Sequence, residues 1–168
     1  MIEAITRNSW ARQAIEAVIY IHSRDVIHGD LGIHNILVGP EYNLRLADFG
    51  GSSLGGNAMQ VECSPRYHRP HSWRFPIRGI DDVTEAWKIP TPVMDTYALG
   101  TVLYEILTGA QLHKDKTYDE IRTLTTQQRW PNLGVITNPG LRSIISKCWE
   151  EQYRSAQDIL QEFLASAS

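Results

Sequence analysis

The stretch that decides the fold reads His28-Gly29-Asp30-Leu31-Gly32-Ile33-His34-Asn35, and it is followed by Asp48-Phe49-Gly50. It supplies a carboxylate at Asp30, an amide at Asn35 and a second carboxylate at Asp48. A carboxylate can orient and deprotonate an attacking hydroxyl group, and oxygen atoms are the ligands that Mg²⁺ prefers. These residue types fit phosphoryl transfer, which needs positioning and charge stabilisation more than covalent help from the protein.

The chain between the two motifs has the pattern of a β-hairpin. Ile36-Leu37-Val38 and Leu44-Arg45-Leu46-Ala47 are short apolar runs, and the turn residues of 39–43 separate them. A hairpin here returns Asp48 towards Asn35. Either motif alone is also a common turn, because Gly and Asp favour turns. Their combination across a hairpin favours the phosphoryl-transfer interpretation.

The two motifs resemble the catalytic loop and the metal-binding loop of the protein kinases, His-Arg-Asp-x-x-x-x-Asn and Asp-Phe-Gly. The resemblance implies ATP and Mg²⁺ as cofactors. It makes Asp30 the catalytic base and makes Asn35 and Asp48 the metal ligands. It also places Leu37 at the position of the residue that packs against adenine.

A second family matches the first motif equally well. Small-molecule kinases of the aminoglycoside and choline type also carry His-Gly-Asp followed by Asn. The downstream chain favours the protein kinases, because residues 95–109 resemble the central buried helix of their C-terminal lobe and are apolar nearly all round. Lys147-Cys148-Trp149 with Arg154 resembles their penultimate helix and the turn after it.

The resemblance covers nearly the whole chain but only one lobe of the family. No Gly-rich loop or strand Lys precedes His28, and Trp10 to Ser23 has the apolar spacing of a helix. We therefore expect a mainly α fold, a protein-kinase-like C-terminal lobe with a small antiparallel β-hairpin, and no N-terminal lobe. Its expected parts within 1–168 are a catalytic loop at 28–35, an activation segment at 48–71, an enlarged loop at 72–94 and a buried helix at 95–108. Three further helices are expected after these parts, at Tyr118 to Gln127, Asn138 to Trp149 and Ser155 to Ala165.

Several positions depart from the family pattern. Gly29 replaces the Arg that grips a phosphorylated activation loop in many members, so we expect no phosphorylation switch through that residue. Gly32 replaces a cation that helps to neutralise the transferring phosphate. His34 lies nearby and is expected to be a turn histidine without a catalytic role, with weak substitution for that cation as the alternative. His71 stands where a Glu normally pairs with an Arg, for which Arg154 is the candidate. The resemblance also predicts that the Asp95 carboxylate bonds the backbone near His28.

Composition and net charge give no support to several other classes of function. A chain of 168 residues can bury a core of its own, and its net charge of −3 gives no reason to expect nucleic acid or an anionic membrane as a partner. No apolar stretch reaches the length of a membrane span and no signal peptide is evident, so an intracellular, cytoplasmic protein is expected. Two cysteines, Cys63 and Cys148, provide no disulfide framework.

The sequence thus predicts a protein kinase domain fragment that transfers a phosphoryl group from Mg·ATP to a protein hydroxyl in the complete domain. The chain alone is expected to be nearly inactive. One alternative is a pseudokinase-like module that holds a protein partner. The other is a relative of the small-molecule phosphotransferases.

Overall fold

The structure is a computed structural model that describes residues 3–59, 63–70 and 90–166. Its described elements are five α-helices and four short strands. In chain order they are α1 (Ala4–His22), β1 (Val26–Ile27), β2 (Ile36–Val38), β3 (Leu44–Leu46), β4 (Ser53–Leu54), α2 (Pro92–Thr108), α3 (Tyr118–Thr126), α4 (Pro139–Trp149) and α5 (Ala156–Ser166). The prediction of a mainly α fold with a small antiparallel strand pair is confirmed.

Helix α2 forms the centre of the core. It contacts both α1 and α4, and most of its residues are buried, as expected for a helix that is apolar nearly all round. It begins at Pro92, three residues before the expected start, because proline is preorganised for the first turn of a helix. It ends at Gly109, whose φ of 69° is the left-handed conformation that favours glycine at a helix C-terminus.

Aromatic side chains fix α4 against α2. Trp149 is buried, and its indole N–H donates to Thr101 Oγ1 at 3.0 Å. Trp130 stacks on the Trp149 ring with 5.0 Å between the ring centroids. A buried tryptophan whose N–H has a partner contributes large apolar area without a desolvation cost for its polar atom.

Helix α1 begins at Ala4, six residues before the start expected from its apolar spacing. The polar residues 6–9 do not continue the apolar pattern, so the pattern could not reveal the first two turns. These turns are nevertheless tied to the core, because Arg7 Nη1 donates to the Ile106 carbonyl at 2.6 Å. The buried face of α1 contains Ala11, Ile15 and Val18.

The predicted hairpin is present. Strands β2 and β3 pair in antiparallel register, with Ile36 opposite Leu46 and Val38 opposite Leu44. Helix α1 holds the hairpin from one side. Trp10 Nε1 donates to the Tyr42 carbonyl at 2.6 Å, and the Leu44 N–H donates to Gln13 Oε1 at 2.7 Å.

A second strand pair was not predicted. Strand β1 pairs with β4 in antiparallel register, so Val26 lies opposite Leu54 and Ile27 opposite Ser53. Each strand has two residues, which is too short for an alternating pattern to show in the sequence. This pair joins the chain before the catalytic motif to the chain after Asp48.

The three distal helices agree closely with their predicted bounds, and their N-termini are capped. Thr117 and Glu120 form a capping box at α3. Asn138 accepts backbone N–H bonds at the start of α4, and Ser155 Oγ accepts the Asp158 N–H before α5.

Some predicted features lie outside the described residues, namely residues 60–62 and His71 of the expected activation segment and residues 72–89 of the expected enlarged loop. Across the described residues, none of the helices has the length and apolar character needed to cross a membrane.

Candidate active site

Asp30 and Asn35 lie at the two ends of a short turn and contact each other. The Asn35 amide nitrogen donates to the Asp30 carbonyl at 2.9 Å and to Asp30 Oδ2 at 3.3 Å. Asn35 is buried at the end of a 3₁₀ turn over Ile33–Asn35, whereas the Asp30 side chain is partly exposed. Because the nitrogen of the Asn35 amide is used by Asp30, its oxygen is left to act as a ligand.

Asp48 is exposed and has an unusual backbone conformation. Its φ is 59°, in the left-handed region that non-glycine residues rarely adopt and that aspartate adopts more readily than most. The residue before it is fixed on both sides: the Ala47 N–H donates to the Asn35 carbonyl at 2.9 Å, and the Ala47 carbonyl lies 3.0 Å from His28 Nε2. The hairpin therefore brings the Asp48 turn next to Asn35.

The predicted contact of Asp95 with the catalytic loop is confirmed. Asp95 lies in the first turn of α2 and is 1% exposed. One carboxylate oxygen accepts the Gly29 N–H at 2.9 Å, and the other accepts the His28 N–H at 2.8 Å. His22 Nε2 lies 2.9 Å from the second oxygen. The loop that carries Asp30 is thus bonded to the central helix of the core.

The residues present fit a magnesium site. The Asn35 amide oxygen and the Asp48 carboxylate are hard donors, and Mg²⁺ normally binds through one or two protein ligands together with water and phosphate oxygens. The described part of the chain contains no group of three or more His, Cys, Asp or Glu side chains placed to hold a metal. Leu37, on β2, is 55% exposed and therefore accessible to a ligand.

His34 fills the space beside Gly32. A side chain at position 32 would overlap the His34 ring, since a Cβ there would lie 2.7 Å from its Nδ1. His34 Nε2 is 3.6 Å from Asp30 Oδ2, and its ring lies 5.6 Å from that of Tyr67. The imidazole ring of His34, in the same turn, therefore occupies the space where a side chain at position 32 would lie.

A buried network that the sequence did not reveal ties residues 63–70 to the catalytic loop and to α2. The Tyr67 hydroxyl donates to Glu105 Oε2 at 2.7 Å and accepts the Ile33 N–H at 3.3 Å. Glu105 Oε1 accepts the Leu112 N–H at 2.8 Å. Burial raises the pKa of the Glu105 carboxyl and raises the pKa of the Tyr67 hydroxyl far above its usual range. The partners are far apart in the chain, so no local pattern signals them.

An ion pair also fixes the end of this segment. Arg69 donates two bonds to the Glu151 carboxylate, from Nε at 3.0 Å and from Nη2 at 2.6 Å. Such a bidentate geometry is specific as well as strong. The predicted partner position of Arg154 is His71, which lies outside the described residues, so that expectation stays a prediction. The pair seen here has its arginine on the segment and its glutamate after α4.

His68 gives the fold a testable pH dependence. Burial lowers the pKa of His68 from 6.5 to about 4, so the folded protein keeps this ring neutral while the unfolded chain takes up a proton near pH 6.5. The stabilisation is complete above pH 6.5 and is lost as the pH falls towards 4. We expect the wild type to lose roughly 2 kcal/mol more unfolding free energy than His68→Asn between pH 7 and pH 5. Urea unfolding of both proteins at the two pH values measures this, and equal losses would contradict it.

Comparison with known proteins agrees with the geometry. The family described as Protein kinase domain matches residues 1–167. CBL-interacting protein kinase 25 of Oryza sativa subsp. japonica is 33% identical over 125 residues, 71% of this chain and 22% of that protein. A Serine/threonine-protein kinase SIK3 homolog of Danio rerio is 31% identical over 114 residues, 66% of this chain and 9% of that protein. The matched regions are therefore less than a quarter of the length of either relative.

Proposed function

Because this chain belongs to the protein kinase family, we propose that its site transfers a phosphoryl group from Mg·ATP to the hydroxyl group of a protein. The observation that carries the proposal is the arrangement of Asp30, Asn35 and Asp48. The first two contact each other directly, and the backbone before Asp48 is bonded to Asn35. Phosphoryl transfer needs a residue that orients the nucleophile and hard metal ligands positioned near one another.

Each side chain has a distinct role in this proposal. Asp30 is partly exposed and accepts the proton of the attacking hydroxyl. Asn35 orients the Asp30 carboxylate through its amide nitrogen and presents its oxygen to the metal. Asp48 supplies the second metal ligand from its strained turn. Mg²⁺, when bound, neutralises charge on the phosphate oxygens.

Residues next to these three side chains indicate where ATP and a protein substrate would bind. Leu37 offers an exposed apolar surface for the adenine ring on the strand that directly follows Asn35. Residues 63–70, bonded to the catalytic loop through Tyr67, provide the adjoining surface for a peptide substrate. The closely bonded position of this segment supports its assignment to substrate binding.

A pseudokinase-like module that binds a protein partner is the second candidate. Gly32 and the ring of His34 together leave the catalytic loop without the lysine or arginine side chain that the family uses there. Losing this charge weakens transition-state stabilisation while leaving the ATP site intact. Because the chain alone is expected to transfer phosphate slowly, Mg·ATP binding with transfer no faster than that of Asp30→Asn would favour the module. The small-molecule alternative has less support, since both relatives described above are protein kinases.

Calorimetric titration with Mg·ATP tests the nucleotide site. We expect wild-type protein to bind Mg·ATP weakly, with a dissociation constant on the order of 1 mM. This value corresponds to a binding free energy of about 4 kcal/mol. Asp48→Asn is expected to weaken binding about tenfold in the presence of Mg²⁺ and to have little effect in EDTA, because the carboxylate acts through the metal.

The matched control is Asp115→Asn, which makes the same chemical change at an exposed position in the connection between α2 and α3. It should bind Mg·ATP as the wild type does. If wild-type protein bound no nucleotide, or if Asp48→Asn bound Mg·ATP unchanged, the proposed function would be wrong.

A further inference from the structure

Met59 is buried although it lies in the segment that follows the metal-binding motif. Its side chain is 1% exposed, whereas Leu54, five residues earlier in the same segment, is 62% exposed. Loop segments normally expose their side chains, so a fully buried methionine in a loop marks a point at which the loop is attached to the rest of the protein.

The residue beneath Met59 is Gly29 of the catalytic loop. A Cβ built on Gly29 would overlap Met59 Sδ and would lie 2.8 Å from Met59 Cε. Gly29 also has a φ of 75°, a conformation that other residues adopt only with strain. Position 29 therefore favours glycine through its backbone conformation, and the thioether of Met59 occupies the space that a side chain there would fill.

Two further contacts dock the same segment on the same loop. The Ser52 hydroxyl donates to the His28 carbonyl at 3.0 Å, and β4 pairs with β1 immediately before the loop. Gly29 itself is bonded to Asp95 of α2. The segment 52–59 is thus attached at its beginning by hydrogen bonds and at Met59 by apolar packing.

The cations of the neighbouring segment are engaged elsewhere. Arg66 donates to the carbonyls of Leu112 and His113, and Arg69 is bonded to Glu151. A phosphorylated loop is usually ordered by new bonds between phosphate and arginine. In this protein, segment 52–59 is already held by contacts that need no modification.

We propose that Met59 is a positioning residue for the catalytic loop, and that its packing on Gly29 docks segment 52–59 without phosphorylation. Met59 touches no reacting atom; it acts through Gly29, the residue next to Asp30. The functional meaning of this docking rests on the proposed function, whereas the docking itself does not. Methionine suits this place because its flexible, unbranched side chain fills irregular gaps.

Hydrogen exchange of the full chain without nucleotide tests the proposal. In Met59→Ala, we expect backbone amides of residues 26–35 and 52–58 to exchange at least about tenfold faster than in the wild type, with the amides of α4 unchanged. Met59→Leu should restore slow exchange, because it nearly conserves volume. The matched control, Leu54→Ala, removes an exposed side chain from the same segment and should leave exchange near the wild-type rate.

Two further hydrogen-exchange measurements distinguish the loss of this docking from a general loss of stability. Gly29→Ala should release the same amides from the opposite side of the contact. Phosphatase treatment of the wild-type protein should change nothing. Exchange in Met59→Ala no faster than in Leu54→Ala, or release by phosphatase alone, would overturn the proposal. A failure of Mg·ATP binding in calorimetry would instead count against the proposed function, since the exchange experiment contains no nucleotide.

Discussion

Asp30→Asn is expected to lower the rate of phosphoryl transfer about 10²- to 10⁴-fold, the usual contribution of a positioned general base. The asparagine side chain keeps the shape of the aspartate and can still contact Asn35, but it cannot accept a proton from a hydroxyl. Because Asp30 is the proposed base and Asn35 and Asp48 the metal ligands, Mg·ATP affinity should change by less than about threefold. Single-turnover transfer of labelled phosphate at saturating Mg·ATP to a protein rich in serine, threonine and tyrosine measures the rate.

The control for this experiment is again Asp115→Asn, which should transfer phosphate at the wild-type rate. Calorimetry of Asp30→Asn with Mg·ATP checks that the nucleotide site is intact. An Asp30→Asn protein that transfers phosphate as fast as the wild type would remove Asp30 from the chemistry. If no transfer were seen in the wild type while Mg·ATP still bound, the binding-module candidate would take its place.

Asp95→Ala is expected to cost about 3–5 kcal/mol of unfolding free energy, the range found when one partner of a buried charged network is removed. The substitution leaves the N–H groups of His28 and Gly29 buried without an acceptor and removes the partner of His22. For a chain of this length, such a loss lowers the melting temperature by roughly 10 °C. Thermal unfolding followed by circular dichroism measures it.

A second substitution keeps this prediction testable if Asp95→Ala does not fold. Asp95→Asn retains one acceptor oxygen of similar shape and should cost about 1–3 kcal/mol. Asp119→Asn, at an exposed site in the first turn of α3, serves as the control and should stay within about 0.5 kcal/mol of the wild type. A melting temperature of Asp95→Asn equal to that of the control would show that these buried bonds contribute little.

The features that the sequence predicted correctly were carried by local patterns. The β2–β3 hairpin follows from two apolar runs around a turn, and α2 follows from a long apolar stretch with a glycine at its end. The contact between Asp95 and the catalytic loop was expected from the family resemblance. The roles assigned to Asp30, Asn35, Asp48 and Leu37 stay predictions.

The features that the sequence did not reveal are contacts between residues far apart in the chain, or they depend on how individual side chains pack. The bidentate pair of Arg69 and Glu151 spans 82 positions, and neither residue belongs to a pattern that could have marked it. The sequence did not single out Met59, because burial in a loop has no periodicity. The early start of α1 was hidden because residues 6–9 are polar, and the bond from Arg7 to the Ile106 carbonyl joins residues far apart in the chain.

The short strand pair of β1 and β4 has a consequence for how the site loses its structure. By pairing Val26 with Leu54, it closes a single chain loop that contains Asp30, Asn35 and Asp48. The entropic cost of closing a loop grows only slowly with its length, so this short ladder can close the loop as a second restraint beside the Asp95 bonds and the β2–β3 hairpin. A substitution in α5 can therefore lower global stability without separating these side chains from one another. Opening this one ladder, by contrast, frees only the two ends of the chain loop, because the Asp95 bonds and the β2–β3 hairpin still hold the three residues beside one another.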